Sequence, residues 1–204
     1  MSSIYGEFLP YMEMVMEKVG GELEAFDKKQ FEETGEHALE HFTMRIKSEE
    51  SMREKCRRKG LPETPHSALR EMQDSIGIRI VTAFRDDIKL FVELIRGMKG
   101  VEIVEEVDYI RHAKPNGYRS YHMILFVTSS FPDVDGNENG KYYVEVQLRT
   151  IAMDSWASLE HKMSYKKDIK NPELIISELK RCADELAACD VSMQTIRNMI
   201  NESV

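Results

Sequence analysis

Length and charge narrow the field at once: 204 residues with a net charge of −8, 42% hydrophobic and 31% charged, describe a soluble globular chain with room for one full core. The acidic balance argues against general nucleic-acid binding. No apolar run nears the roughly 20 residues that span a bilayer, and no basic start leads into an apolar run, so neither a membrane span nor a secretory signal is expected.

Phe8, Met12, Val15, Val19, Leu23 and Phe26 recur at helical spacing around Pro10, so a helix is expected there, weakened at Gly20-Gly21. Residues 27–44 are poorly specified, as helix or loop. Ser48 before Glu49-Glu50 starts a short helix that Gly60 ends, with Pro62 beyond. A second short helix is expected over 65–72. The alternation of Ile76, Ile78 and Ile80 marks a first strand, 75–84, and Asp86-Asp87 then caps a helix to Met98 that Gly100 closes. Further strands are expected over 101–110, 118–127 and 141–149, joined by the loop 112–117 and the turn-rich segment 132–140. A helix follows over 151–165. From Pro172 on, Ile175, Leu179, Cys182, Leu186, Cys189, Met193, Ile196 and Ile200 recur at alternating steps of four and three, a heptad seam. The seam packs either on the N-terminal helix of its own chain or on another subunit. The three cysteines, Cys56, Cys182 and Cys189, show no C-x-x-C spacing, which argues against disulfides or a zinc site and fits a reducing cytoplasm.

Chemically capable residues concentrate in four places. From Arg45 to Lys59 there are seven basic residues against three acidic ones. Lys55, Arg58 and Lys59 share a helix face, and Arg45 and Lys47 precede that helix in extended chain. The face is either solvated or a phosphate site, for which arginine forks are suited. From Arg111 to His122 the chain is again basic, with no acid, as a local polyanion site would be. Asp74, before the Ile76 strand, either caps a turn or faces a cleft and holds Mg²⁺ together with substrate phosphates. Tyr143, Glu145, Gln147 and Arg149 share one strand face, and Val144, Val146 and Leu148 the other. If the strands of Asp74 and Glu145 are neighbours, two carboxylates flank one metal, and Glu145 is also placed to take a hydroxyl proton. The alternative is an amphipathic strand with one wet face. Tyr118, Ser120 and His122 share a face of the preceding strand. Tyr118, after Asn116-Gly117, either offers its ring to a nucleobase or is a half-buried core residue. There is no phosphate-loop motif, no G-x-G-x-x-G, no H-E-x-x-H and no His-Asp dipeptide, which argues against Walker-type nucleotidases, zincins and His-Asp hydrolases.

Five segments, in order, resemble the synthetase domain of the RelA/SpoT family. They are Arg45-Ile-Lys47, Asp74-Ser-Ile-Gly-Ile-Arg79, Lys114-Pro-Asn-Gly-Tyr-Arg-Ser-Tyr-His122, Glu145-Val-Gln-Leu-Arg149 and Met153-Asp-Ser-Trp-Ala-Ser-Leu-Glu160-His161. They cover residues 40–166, and the chain length resembles that of the stand-alone small alarmone synthetases. No counterpart of the hydrolase or regulatory regions of long members is seen, so a synthetase alone is implied. The resemblance implies a nucleotidyltransferase-like mixed β-sheet flanked by helices. It divides the chain into an N-terminal helical segment, 1–44, a synthetase domain, 45–166, and a C-terminal heptad helix, 167–204. The terminal helices resemble those that assemble such proteins into homotetramers.

The implied reaction transfers the β,γ-pyrophosphate of ATP to the 3′-hydroxyl of GDP or GTP, with GMP a further candidate, and releases AMP. The products would be the stringent-response alarmones ppGpp and pppGpp. By motif position, Asp74 is implied to bind Mg²⁺, and Glu145 to share that metal or act as base. Arg45 and Arg79 are implied to sandwich the adenine, and Lys47, Lys55 and Arg58 to neutralise the ATP phosphates. Tyr118 is implied to stack on guanine, with Lys114, Asn116, His122 and Gln147 positioning the acceptor. Two departures from the family pattern matter. Small synthetases activated by their own product carry Asn where this chain has Asp154, and a carboxylate there would repel a phosphate-rich effector, so little stimulation by pppGpp is expected. The segment Glu105-Glu-Val-Asp108 matches neither family form linked to acceptor choice, so GDP and GTP remain equal candidates. Two rivals stand beside this reading: a toxin that pyrophosphorylates the 3′ end of tRNA or adenosine nucleotides, and an inactive nucleotide-binding module.

Overall fold

Alternation along each strand decides which residues face the core and which face the opposite side of the sheet. The computed structural model describes residues 3–164 and 171–203. Helix α1 (Leu9–Thr34) is followed by β1 (His41–Ile46), α2 (Glu49–Lys59), a π-helical turn (Ser67–Glu71), β2 (Ile76–Thr82), α3 (Arg85–Gly97), β3 (Val101–Asp108), β4 (Tyr121–Thr128), β5 (Lys141–Thr150), α4 (Ile151–Ser164) and α5 (Pro172–Asn201). The strand order is β1-β2-β5-β4-β3. β2 and β5 run parallel and the other neighbours antiparallel, giving the mixed, helix-flanked sheet expected, with one strand more.

The register lines up apolar rows on one face. Ile76, Ile78 and Ile80 stand beside Val144, Val146 and Leu148, and Leu125 and Met123 continue the rows. Met12, Val15, Val19 and Leu23 of α1 and Ile88, Phe91 and Ile95 of α3 complete this core, all of them buried. At about 25 cal/mol per Å² of apolar surface removed from water, this face is the main favourable term in folding. The opposite face carries the polar row Thr43, Arg79, Gln147, His122 across four strands, with Arg45, Gly77 and Glu145 in the next row.

Several local expectations are corrected. β1 occupies the end of the poorly specified 27–44 stretch, where Phe42, Met44 and Ile46 pack on the core and the residues between them face out. Helix α1 runs unbroken through Gly20-Gly21. A Cβ at Gly20 would lie 2.3 Å from Met44 Sδ. The glycine therefore lets α1 settle on β1, and that packing offsets the roughly 1 kcal/mol that glycine costs a helix. The short helix expected over 65–72 is present over 65–71, π-helical from Ser67 to Glu71, and ends only one residue early, with Met72 extended. The strand expected from 118 begins at Tyr121, because the loop before it closes on itself. Gly117 N–H donates to the Lys114 carbonyl at 2.8 Å, and Lys114 N–H to that of Tyr118 at 3.1 Å. Tyr118 and Ser120 therefore precede the strand; Ser120 is buried, its hydroxyl donating to the Leu148 carbonyl, while Tyr118 still meets His122 through its hydroxyl.

Helix α5 turns Leu179, Ala183, Leu186 and Asp190 toward its own chain and packs chiefly on α4 and α3 rather than on α1. Its heptad positions Cys182, Cys189, Met193, Ile196 and Ile200 are exposed. The expected helix end at 165 and the domain boundary at 166/167 lie outside the described residues. Among the described residues, no helix is long and apolar enough to cross a membrane.

Candidate active site

Asp74 stands in the loop before β2, between two lysines. Its Oδ2 accepts hydrogen bonds from Lys47 Nζ and, at 2.5 Å, from Lys55 Nζ. Helix α2 aims Lys55 there because Met52 and Cys56 bury its other side and Ser48 caps its start. The Ser75 hydroxyl donates to the Ala68 carbonyl and ties the loop to the π-helical turn. Burial pushes the Asp74 carboxyl up, but the Lys47 and Lys55 ammonium groups outweigh it and hold it below the usual carboxylate range. Asp74 Oδ1 is buried without a hydrogen-bond partner. A buried anionic oxygen left unpaired is costly, and a divalent cation that also binds phosphates is a fitting partner for it. Among the described residues there is no group of three His, Cys, Asp or Glu that could hold a metal by itself. Such a cation would therefore draw most of its ligands from substrate and water, as Mg²⁺ commonly does.

Glu145 lies on the strand next to β2, in register with Gly77. Its Oε1 is 3.5 Å from His122 Nδ1, and its Oε2 accepts from Gln147 Nε2 at 3.1 Å. Burial raises the Glu145 carboxyl, but His122 and Gln147 outweigh both burial and the opposing charge of Asp74, so it too sits below its usual range. The two carboxylates thus sense each other across the parallel β2–β5 pair.

A closed ring of polar contacts runs on from Glu145. Gln147 Oε1 accepts from Arg149 Nη2 at 3.0 Å, and the same nitrogen donates to the Tyr118 hydroxyl at 2.8 Å. That hydroxyl lies 2.8 Å from His122 Nε2, which returns the ring to Glu145. Arg149 is only 4% exposed, and its Nη1 donates to Asp154 Oδ1 at 2.9 Å. Arg79 Nη1 lies 3.4 Å from the same Asp154 oxygen. Sequence reasoning gave Arg149 no role, although its place on the face of Glu145 and Gln147 was the signal. Asp154 enters the sequence argument only as a carboxylate that would repel a phosphate-rich effector. The structure turns it inward, where Arg79 and Arg149 offset its charge, so repulsion of an effector is not a reason to expect weak stimulation by pppGpp.

Arg45 and Arg79 are diagonal neighbours on β1 and β2 and line one cleft with Thr43, Glu145 and Gln147. Burial, together with the charges of Arg149 and Arg45, holds the Arg79 guanidinium below its usual range. Lys114 Nζ lies 4.6 Å from the Tyr109 ring centroid and 4.8 Å from that of Tyr118. Asn116 Oδ1 accepts from the Tyr118 N–H at 3.1 Å, so its side chain shapes the loop itself. The structure joins Asp74, Lys47 and Lys55 in one group. It joins Glu145, Gln147, His122, Tyr118 and Lys114 in a second, with Arg45 and Arg79 in the cleft beside Glu145 and Gln147. Arg58 stands apart, exposed one turn beyond Lys55 on α2. In the segment Glu105–Asp108, Glu106 binds Arg96 and the Tyr121 hydroxyl, and Asp108 accepts from the N–H groups of the next turn.

Residues 44–170 match the family described as a region found in RelA / SpoT proteins. The chain belongs to the RelA/SpoT family. The GTP pyrophosphokinase YwaC of Bacillus subtilis (strain 168) is 37% identical over 169 residues, which are 82% of this chain and 78% of that protein. The GTP pyrophosphokinase YjbM of the same organism is 35% identical over 165 residues, 81% of this chain and 75% of that protein. The fold matches the crystal structure of small alarmone synthetase 1 from Bacillus subtilis bound to its product pppGpp with a TM-score of 0.81. That match has 30% identity and covers 95% of this chain and 96% of the other. The family and the fold class expected from the five motifs are therefore shown.

Proposed function

We propose that the chain is a GTP/GDP pyrophosphokinase that makes pppGpp and ppGpp from ATP. One observation carries this reading. Asp74, held by two lysines in the loop that leads into β2, and Glu145, held by His122 and Gln147 on the parallel neighbour β5, are brought together at one polar face. Pyrophosphoryl transfer needs little covalent chemistry and much positioning and charge neutralisation, and this face supplies both.

In this reading Lys47, Lys55 and Arg58 meet the ATP phosphates, and Arg45 and Arg79 flank the adenine. Tyr118 stacks on the guanine, while Lys114, Asn116, His122 and Gln147 orient the acceptor. Asp74, with Glu145 beside it, would hold Mg²⁺, which supplies charge neutralisation at the phosphates when bound. The acceptor's 3′-oxygen forms a bond to the β-phosphorus, the bond from that phosphorus to the α,β-bridging oxygen breaks, and AMP leaves. Glu145, kept ionised by His122 and Gln147, takes the proton of the 3′-hydroxyl. The catalytic part is residues 45–166 together with the start of β1, which brings Thr43 into the cleft, and it is flanked by the segments 1–44, with α1, and 167–204, with α5. The exposed heptad stripe of α5, with Met193, Ile196 and Ile200, supports assembly through the terminal helices into a homotetramer. A cytoplasmic setting, where ATP and guanine nucleotides are abundant, belongs to the same reading.

The test is transfer of label from γ-labelled ATP, with Mg²⁺, to GDP, GTP, GMP or deacylated tRNA. Label on a guanosine nucleotide with matching AMP release is expected. Label on tRNA would place the chain with the toxins, and no transfer to any acceptor would make it a binding module.

A further inference from the structure

Helix α5 lies outside the residues matched by the family, yet it packs directly against the acceptor loop. Gly117, at φ +94°, is pressed against it: a Cβ there would lie 2.5 Å from Ala183 Cβ and 3.1 Å from Lys180 Cα. Arg119 straddles the joint. Its Nη1 donates to the carbonyls of Gly117 at 3.1 Å and Ala183 at 3.3 Å, and its Nη2 to Asp184 Oδ1 at 2.8 Å. The Tyr118 ring belongs to a small second cluster with Trp156, Ala157 and Ala183, backed by Leu179 and Leu186. Trp156 Nε1 donates to the Leu179 carbonyl at 2.9 Å, which fixes that cluster to α5. Main-core residues thus place the carboxylates, whereas α5 places the acceptor loop.

We propose that α5 forms the floor of the acceptor half of the site, with Ala183 and Asp184 as positioning residues for the guanine nucleotide. The small side chain at 183 sets how deep the Lys114–Tyr118 loop sits, and Asp184 holds it there through Arg119. Neither residue faces the lysines around Asp74, so the donor half is untouched by them. This inference rests on the reading that Tyr118 and its loop receive the guanine nucleotide.

Trp156 is the single tryptophan of the chain and lies 6.4 Å, centroid to centroid, from the Tyr118 ring, so its emission reports on this floor. The test is titration of the whole chain with GDP, and separately with a non-hydrolysable ATP analogue, by Trp156 fluorescence and calorimetry. Steady-state KM values for both substrates complete it. In Ala183→Leu the larger side chain has no room, and the GDP dissociation constant and KM should rise about tenfold or more, with the values for the ATP analogue and ATP within twofold. Asp184→Asn keeps the helix surface and loses the charged tie to Arg119 together with the exposed ion pair to Lys180 on the same helix, so a rise of roughly two- to fivefold for GDP alone is expected. Equal weakening of donor and acceptor, or unchanged GDP affinity in both variants, would overturn the proposal. Unaltered GDP binding in a wild-type chain that fails to transfer label would instead sink the synthetase reading and leave the floor standing.

Discussion

His122 and Glu145 are diagonal neighbours across the antiparallel β4–β5 pair, with Nδ1 and Oε1 3.5 Å apart. The imidazole's other nitrogen faces the Tyr118 hydroxyl, which also accepts from Arg149. A hydroxyl that accepts from the guanidinium can give its one proton to His122 Nε2, and in that tautomer His122 has its own proton on Nδ1 for Glu145. The Glu145 carboxylate is thus held by His122 and Gln147, and the Arg149 guanidinium reaches it only through Gln147 and the Tyr118–His122 contact.

Replacement of Glu145 by Gln keeps the shape and removes the basic oxygen. General-base catalysis is worth about 10²- to 10⁴-fold, so kcat should fall by at least that range. Binding of a non-hydrolysable ATP analogue, measured by calorimetry, should stay close to wild type because Lys47, Lys55 and Arg45 are untouched. Near-normal turnover in this variant would refute the role.

Asp74→Asn tests the unpaired Oδ1. The wild-type chain should bind the ATP analogue more tightly with Mg²⁺ than without it. The variant should lose that difference, since an amide is a poor partner for a divalent cation. An Mg²⁺ dependence of binding equal to that of the wild type would remove Asp74 from the metal site.

Tyr118 separates stacking from hydrogen bonding. Aromatic stacking on a base is worth about 1–3 kcal/mol, so Tyr118→Ala should raise the GDP or GTP KM roughly 5- to 150-fold. Tyr118→Phe keeps the ring and loses only the contacts to His122 and Arg149, so its acceptor KM should move far less than its kcat. Equal KM effects in the two variants would assign the tyrosine to the polar ring and not to the base.

Asp154→Asn leaves Arg149, almost fully buried, with a weaker partner. A buried charged hydrogen bond replaced by a neutral one should destabilise the fold by roughly 1–3 kcal/mol. Thermal unfolding reads this directly. A variant as stable as the wild type, and newly stimulated by pppGpp, would restore the view of Asp154 as an outward charge that repels the effector.

The polar face of the candidate site was legible because β5 alternates strictly. Val144, Val146 and Leu148 had to enter the core, which forced Glu145, Gln147 and Arg149 to the other side. The ordered motifs then named the chemistry. Strand β1 was not legible, since its inner residues Phe42, Met44 and Ile46 are only half-buried at the sheet edge and Thr43 and Arg45 look like loop. The contact that explains Gly20 involves Met44, two dozen residues away, which no local propensity can reveal. Asp154 was misjudged for a similar reason: a helix position gives a side chain's face, but its partners Arg79 and Arg149 come from two strands. The seam on α5 is only partly used by the chain itself: Leu179 and Leu186 turn inward beside Ala183 and Asp190, while Cys182, Cys189, Met193, Ile196 and Ile200 stay exposed.

Asp190 offers a test of that packing. Its carboxylate is buried at the joint of α5 with the end of β5, where it accepts from the Thr150 hydroxyl at 2.6 Å. Burial raises its carboxyl above the usual range, against the smaller opposing effects of Thr150 and Arg85. An acid raised on folding binds more protons folded than unfolded, so stability falls as pH climbs from the unfolded value of about 3.9 through the folded one. Asp190→Asn keeps an acceptor for Thr150 and removes the charge. The variant should therefore unfold at a higher temperature than wild type near pH 7, by roughly 2–4 °C for each kcal/mol recovered. Near pH 3, where both forms are uncharged at this site, the difference should vanish. Melting curves of the two proteins across pH 3 to 8 decide it, and a variant less stable at pH 7 than at pH 3, relative to wild type, would mean that the Asp190 charge stabilises the joint.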